Sequence, residues 1–162
     1  TMLTQNHDPQ QHFEAVEHLL TRWLKERRAL LGVYTEIVVT LDYHLDDAAL
    51  EQRQKTLCEL LVDYVSVGHF EVFHELINEA ESFADGSCVL AEKLMPAIGA
   101  TTEVILAYEE KYAETRGHLE KLKRDLSALG EVLESRFVLE DQLIAGLHNR
   151  HRRLVRQVPK TA

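Results

Sequence analysis

The sequence predicts an all-α protein, an antiparallel four-helix bundle in which the second and third helices are kinked or split. The 162 residues include only 7 Gly and 3 Pro, fewer turn-forming residues than an all-β domain needs. Apolar residues recur in alternating steps of three and four along four long segments, as in amphipathic helices. No segment shows the strict alternation of a β-strand, and the length suits one domain with a sizeable core.

The first helix is predicted to begin at Pro9, because Asp8 is a favourable N-cap and proline suits the first helical turn. Its apolar face consists of Phe13, Val16, Leu20, Trp23, Leu30, Tyr34 and Ile37. The pattern fades near Thr40.

The sequence predicts three parts of the chain. They are a disordered N-terminal segment (1–8), the helical bundle domain (9–155) and a basic C-terminal tail (156–162).

The second helix follows a connection that ends at Asp46 and Asp47, two acids that can cap it. It carries a leucine-rich face as far as Tyr64, and a further helical stretch continues to about Ser82. Gly68 lies between the two stretches. The pattern does not decide whether this glycine ends the helix or only kinks it.

Residues 84–87 form the clearest loop, and the third helix follows them. Pro96 lies inside this helix and predicts a break or kink at Met95. Gly117 separates it from the fourth helix. That helix has the most regular leucine seam in the sequence and is expected to run to about Leu154.

The formal net charge of −9 is unevenly placed. Residues 148–162 contain five basic residues and no acid, so the remainder has 13 basic against 27 acidic residues and a net charge of −14. An acidic body repels nucleic acid and attracts basic partners. We therefore expect no direct contact with nucleic acid, with phosphate contact through the basic end as the alternative.

Several features favour a cytoplasmic protein without a membrane partner. The longest apolar runs are four or five residues, whereas a bilayer-spanning helix needs about 20. The first residues lack the basic and apolar regions of a signal peptide. Cys58 and Cys88 lack the spacing of zinc or redox motifs, which indicates small core residues in a reducing compartment.

Charged residues interrupt two of the apolar seams. Arg27 lies in the seam of the first helix, and Glu140 lies in that of the fourth. Buried charges are normally paired, so we predict that these helices meet through a buried polar network. Its predicted members are Arg27, Arg136, Glu140 and Asp141. In the alternative, the long side chains bend to the surface.

The second helix is apolar on more than one side. On a helical wheel its leucines share one face, and four other residues fall on the opposite side. These four are Asp63, Ser66, Phe70 and Phe73. An aromatic surface with a carboxylate suits a partner that carries apolar and basic groups, so we predict that they bind a protein partner. In the alternative, Phe70 and Phe73 pack inside after a turn at Gly68.

Nine histidines raise the question of a metal site. A di-iron bundle needs two Glu-x-x-His motifs, and the sequence has one, Glu71 to His74. His148 and His151 are three residues apart, but they lie in the basic end without a nearby acid. Nucleophile and phosphate-loop motifs are absent. We therefore expect no enzyme, metal or cofactor, with a metal or phosphotransfer bundle as the alternative.

Three stretches of the sequence carry a resemblance to a known family. They are residues 22–27 (RWLKER) with 30–31 (LL), residues 61–70 (LVDYVSVGHF) and residues 129–141 (LGEVLESRFVLED). In these stretches and in their spacing the chain resembles the Rsd/AlgQ family of bacterial anti-sigma factors. The resemblance covers nearly the whole chain and is closer to the AlgQ branch, which residues 68–72 (GHFEV) resemble well.

The resemblance implies a regulator that binds the primary sigma factor of RNA polymerase. The expected contact is the C-terminal domain of sigma, which reads the −35 promoter element, and binding keeps sigma from core polymerase. In AlgQ-like members this activity is tied to alginate production and virulence. Asp63, Ser66 and Phe70 match family positions linked to sigma binding. The polar features of the family's bundle fall at Arg27, Arg136, Phe137, Glu140 and Asp141.

Some family members also bind a phosphotransfer-system carrier protein. The resemblance therefore leaves a second interpretation, a helical-bundle adaptor whose surface binds such a carrier or another protein.

Overall fold

The computed structural model describes residues 8–43, 46–113 and 119–156. The helices are α1 (Pro9–Asp42), α2 (Asp47–Val67), α3 (Phe73–Phe83), α4 (Val89–Tyr112), α5 (Leu122–Leu147) and α6 (Arg152–Arg156). A π-helical turn (Gly68–Val72) joins α2 to α3, and 3-10 turns span Leu119–Lys121 and Asn149–His151. Because α2 and α3 are continuous, the long helices form an all-α four-helix bundle, and the described residues contain no strand.

Cross-helix contacts show that neighbouring helices are antiparallel. Trp23 of α1 contacts Tyr64 of α2, while Glu36, further along α1, lies opposite Arg53, earlier in α2. The α4–α5 pair has the same arrangement, because Tyr112 contacts Asp125 and Thr101 contacts Arg136. Long amphipathic helices with short connections pack in this way to bury one stripe each.

The predicted starts of the first two helices are confirmed. The Asp8 carboxylate accepts a hydrogen bond from the Gln10 backbone N–H at 3.1 Å, with Pro9 in the first turn of α1. Asp46 caps α2 in the same way through Ala48 N–H at 3.3 Å. Both carboxylates satisfy donors that the first helical turn leaves unpaired.

The sequence predicts a break or kink at Met95, and the structure shows that the third helix does not break there. The helix continues through Pro96, which removes one backbone donor and frees the carbonyl of Glu92. Both residues are exposed, so water can satisfy the freed carbonyl. The loop at 84–87 is confirmed, with Gly86 at φ 81°. Gly117 lies outside the described residues.

The fourth helix ends earlier than predicted. It stops at Leu147 instead of near Leu154, and His148 leaves helical geometry at φ −124°. The chain then makes a 3-10 turn and the short helix α6, which packs against α1. Residues 1–7 and 157–162, which hold nearly all of the predicted terminal segments, also lie outside the described residues.

The core is centred on Trp23, which is 1% exposed. Its indole ring stacks on Tyr64 with centroids 4.7 Å apart, and its Nε1–H donates to the Tyr64 carbonyl at 3.2 Å. A Cβ on Gly68 would lie 3.0 Å from Trp23, so glycine is what allows the indole to pack this closely. Among the described residues, no helix is long and apolar enough to cross a membrane.

Candidate functional site

The most exposed large apolar side chain near the middle of the bundle is Phe70, at 74% exposure. It lies in the π-helical turn, with Ser66 and Asp63 one and two turns earlier on the same side of α2. Asp63 is exposed and Ser66 is half-buried. The edge of the His69 ring lies against Phe70, with centroids 4.8 Å apart. The structure therefore brings three of the four predicted binding residues onto one accessible face.

Acidic residues from two helices surround this face. Burial raises the pKa of Glu26 on α1, and the negative charges of Asp63 and Glu71 raise it further, while Arg22 opposes them. These charges are therefore close enough to act on one another across the α1–α2 boundary. We call the patch formed by Glu26, Asp63, Ser66, Phe70 and Glu71 the Phe70 surface.

Phe73 does not belong to the Phe70 surface. It is 2% exposed, and its ring meets Trp23 edge-on with centroids 5.7 Å apart. The expectation that it faces solvent is wrong because the wheel assumes a uniform 100° step per residue. The π turn accommodates one extra residue and rotates all that follows, which brings Phe73 into the core.

The predicted polar residues meet directly beneath this region. Arg27 donates to Glu140 Oε1 at 3.0 Å and to Asp141 Oδ1 at 2.8 Å. Arg136 donates to the other Glu140 oxygen at 2.9 Å. Arg136 and Glu140 are both fully buried, whereas the Asp141 side chain is 62% exposed. The two arginines neutralise one buried carboxylate from opposite sides.

Sequence reasoning missed three further members of this network. The Tyr64 hydroxyl donates to Glu140 Oε1 at 2.5 Å and accepts from Arg27 Nε at 3.0 Å. Thr101 and Thr102 accept from Arg136 at 3.1 and 2.6 Å. Tyr64 fits the apolar stripe of α2, so only its hydroxyl hinted at a polar partner. Nothing in the sequence near the threonines pointed to Arg136.

Burial of the network acts against its charges. The pKa of Glu140 is raised, because the effect of burial exceeds the opposing effects of Arg136, Tyr64 and Arg27. Burial lowers the pKa of Arg27, and contacts with Tyr64, Asp141 and Glu140 more than compensate and raise it. Removal of one partner would leave an uncompensated buried charge, so the network holds α1, α2 and α5 in one register.

His148 and His151 occupy a different place from the one predicted. Both are fully buried, and they face Glu79, Glu17 and Asp85 instead of lying in an acid-free tail. These carboxylates come from distant parts of the chain, which is why the local sequence did not reveal them. Within the part of the chain that the structure describes, no group of three His, Cys, Asp or Glu side chains is arranged to hold a metal.

Comparisons with known proteins identify one family. One family model, "Regulator of RNA polymerase sigma(70) subunit, Rsd/AlgQ", matches residues 2–148. A protein named Regulator of sigma D from Shigella boydii is 34% identical over 152 residues, covering 88% of this chain and 92% of the relative.

Relatives with the same name occur in other enterobacteria. The Escherichia coli protein is also 34% identical over 152 residues, with the same coverage of both chains. The Yersinia pseudotuberculosis protein is 32% identical over 130 residues, covering 78% of this chain and 77% of the relative. No solved structure matches this chain significantly. The family match over nearly the whole length, together with these relatives, shows that the chain belongs to the Rsd/AlgQ family of regulators of the RNA polymerase sigma(70) subunit.

Proposed function

We propose that this chain is a non-enzymatic anti-sigma factor of the cytoplasm. It binds the C-terminal, −35-reading domain of the primary sigma factor through the Phe70 surface and thereby sequesters sigma from core RNA polymerase. The observation that supports the proposal most directly is Phe70, 74% exposed and set among carboxylates from two helices. Membership of the Rsd/AlgQ family supports the identity of the partner.

The charge of the Phe70 surface suits a DNA-reading partner. A domain that binds promoter DNA carries lysines and arginines for the phosphates. Carboxylates such as Asp63 and Glu26 can pair with the same basic groups and so compete with DNA. Charge complementarity of this kind mainly raises the association rate.

The apolar centre of the surface supplies a different part of the binding energy. An exposed aromatic side chain that becomes buried on binding is a typical hot spot, and its truncation costs about 2 kcal/mol or more. The backbone of Phe70 is fixed in the π turn and its ring contacts His69, so little backbone order has to be gained when it binds. Phe70 should therefore determine the lifetime of the complex.

Calorimetric titration of the full chain with the isolated C-terminal domain of its primary sigma factor, in ~0.15 M salt, tests the proposal. We expect saturable one-to-one binding of micromolar affinity or tighter, and displacement of −35 promoter DNA from the sigma domain. Absence of binding would overturn the proposal. A parallel titration with a phosphotransfer-system carrier protein distinguishes the adaptor interpretation, in which the carrier binds and sigma does not.

A further inference from the structure

The chain that follows α5 packs against the bundle through two buried histidines. We call residues 148–156 the C-terminal clasp. His148 and His151 are both fully buried, and their rings stack on Phe13 and Phe83 with centroids 4.1 and 4.0 Å apart. The clasp therefore covers an aromatic ring of α1 and another at the end of α3.

Every ring nitrogen of the two histidines faces an oxygen atom. His148 contacts Glu79 Oε1 through Nδ1 and Glu17 Oε1 through Nε2, the latter at 2.8 Å. His151 contacts Glu79 Oε2 at 3.2 Å and the Leu147 carbonyl at 3.0 Å through Nδ1. Its Nε2 lies 2.8 Å from Asp85 Oδ2. Glu79 is itself fully buried between the two rings.

This arrangement requires more protons than neutral histidines can supply. A neutral imidazole has one N–H and one lone pair, and a lone pair aimed at a carboxylate oxygen is repelled. The Leu147 carbonyl can only accept, so His151 Nδ1 must carry hydrogen. With Asp85 ionised, the Nε2 of the same ring must carry hydrogen as well.

The outer carboxylates are in their ionised form. The hydrogen bond from Arg152 is the main reason that the pKa of Glu17 falls to about 2, with burial opposing it and His148 contributing. Partial burial acts to raise the pKa of Asp85, but hydrogen bonds from Ser87 and His151 lower it. The remaining contact, between His148 and Glu79, contains one proton, which can be bound to either residue. The closed cluster thus contains two protons more than neutral imidazoles and ionised acids would.

Charged groups from each neighbouring element complete the cluster. α1 contributes Glu17, α3 contributes Glu79, and the 84–87 turn contributes Asp85. The clasp itself contributes Arg150, 3.7 Å from Asp85, and Arg152, which donates to both oxygens of Glu17. The arginines keep their charge at any physiological pH, so the variable protons are those shared by the histidines and Glu79.

We propose that the C-terminal clasp is a proton-dependent contact, closed while the cluster of His148, Glu79 and His151 holds its two extra protons and released as the pH rises. In the released clasp the imidazoles are exposed, and an exposed imidazole loses its proton above about pH 6.5. The closed form binds more protons than the open form in that range, so higher pH favours opening. Each proton lost on opening changes the equilibrium about tenfold per pH unit. Opening exposes Phe13, Phe83 and Glu79 and frees a basic segment.

Two measurements on the full chain test this. Nitrogen-15 NMR of the imidazoles reports the hydrogens directly, and the His151 ring should remain doubly protonated at about pH 7.5. Hydrogen exchange of the clasp backbone, corrected for the intrinsic rate, should show opening that increases at least tenfold between about pH 7 and pH 9. The centre of α5 should show no such increase.

Variants separate a proton effect from a packing effect. Asp85→Asn removes the negative charge that favours hydrogen on His151 Nε2, and it should lower the pH at which the clasp opens, whereas Glu81→Gln on the exposed side of α3 should not. The double variant His148→Gln/His151→Gln should lose the pH dependence of opening whether or not the clasp stays closed. A singly protonated His151 ring in the closed form at about pH 7.5, or opening that is independent of pH, would overturn the proposal.

Discussion

The Tyr64 hydroxyl donates to Glu140 Oε1 at 2.5 Å, which ties α2 to the buried carboxylate of α5. The preceding residue, Asp63, points the other way and is exposed on the Phe70 surface. Adjacent residues of one helix thus serve the two sides of the molecule. One positions α2 against the rest of the bundle, and the other is available to a partner.

Tyr64→Phe is expected to lower the free energy of unfolding by about 1–3 kcal/mol, because it leaves a fully buried charged oxygen short of a donor. Urea unfolding followed by the fluorescence of Trp23, which stacks on this ring, measures the change. Tyr43→Phe is the matched control, since Tyr43 is 75% exposed. A loss below about 0.5 kcal/mol would mean that the hydroxyl contributes little.

Phe70→Ala is expected to weaken binding to the sigma domain by about thirtyfold, equivalent to ~2 kcal/mol, while the melting temperature stays nearly unchanged. The reason is that Phe70 is 74% exposed and contributes little to the core. Tyr43→Ala removes an aromatic ring of equal exposure, 75%, from the far end of α1 and should leave binding intact. Equal losses from both variants would place the interface elsewhere.

Asp63→Asn should act mainly on the association rate. Removal of one charge from an acidic surface weakens the attraction to a basic partner, and the effect should be several-fold at low salt. The difference from the unmodified protein should shrink at ~1 M salt, where charges are screened beyond about 3 Å. Stopped-flow measurement of the association rate tests this, and Glu131→Gln, at an exposed position of α5, is the control. A slower association that persists unchanged at high salt would contradict an electrostatic role.

Glu17 should make stability depend on acid pH. Its folded pKa is about 2, below the unfolded value of 4.5, so its contribution is present above about pH 4.5 and lost as the pH falls towards 2. The side chain is 40% exposed, which limits the contribution to about 1 kcal/mol. Unfolding in urea should show Glu17→Gln less stable than the unmodified protein at neutral pH and equal to it near pH 2. A constant difference across this range would contradict the assignment.

Much of the fold is predictable because it depends on local chemistry. The caps at Asp8 and Asp46 and the four amphipathic stripes follow from neighbouring residues alone. The polar interruptions at Arg27 and Glu140 were also visible, because a charge in an apolar seam requires a partner.

What the sequence did not reveal depends on contacts between distant segments. The π turn that buries Phe73 reflects the close approach of Trp23, some 45 residues earlier, to Gly68. The acids that receive His148 and His151 lie in α1, in α3 and in the 84–87 turn, so the residues around the histidines gave no sign of them. The sequence could not decide between a break and a kink at Pro96, because solvent exposure of the freed carbonyl is not a local property.

The π turn also makes the length of this region as important as its composition. α2 and α3 bury faces that match only because the turn between them holds one extra residue. Loss of a single codon within 68–72 would straighten the turn and rotate α3 by about 100°, which would move Phe73, Leu76 and Ala80 off the core. A frame-preserving deletion there should be far more harmful than most replacements at the same positions.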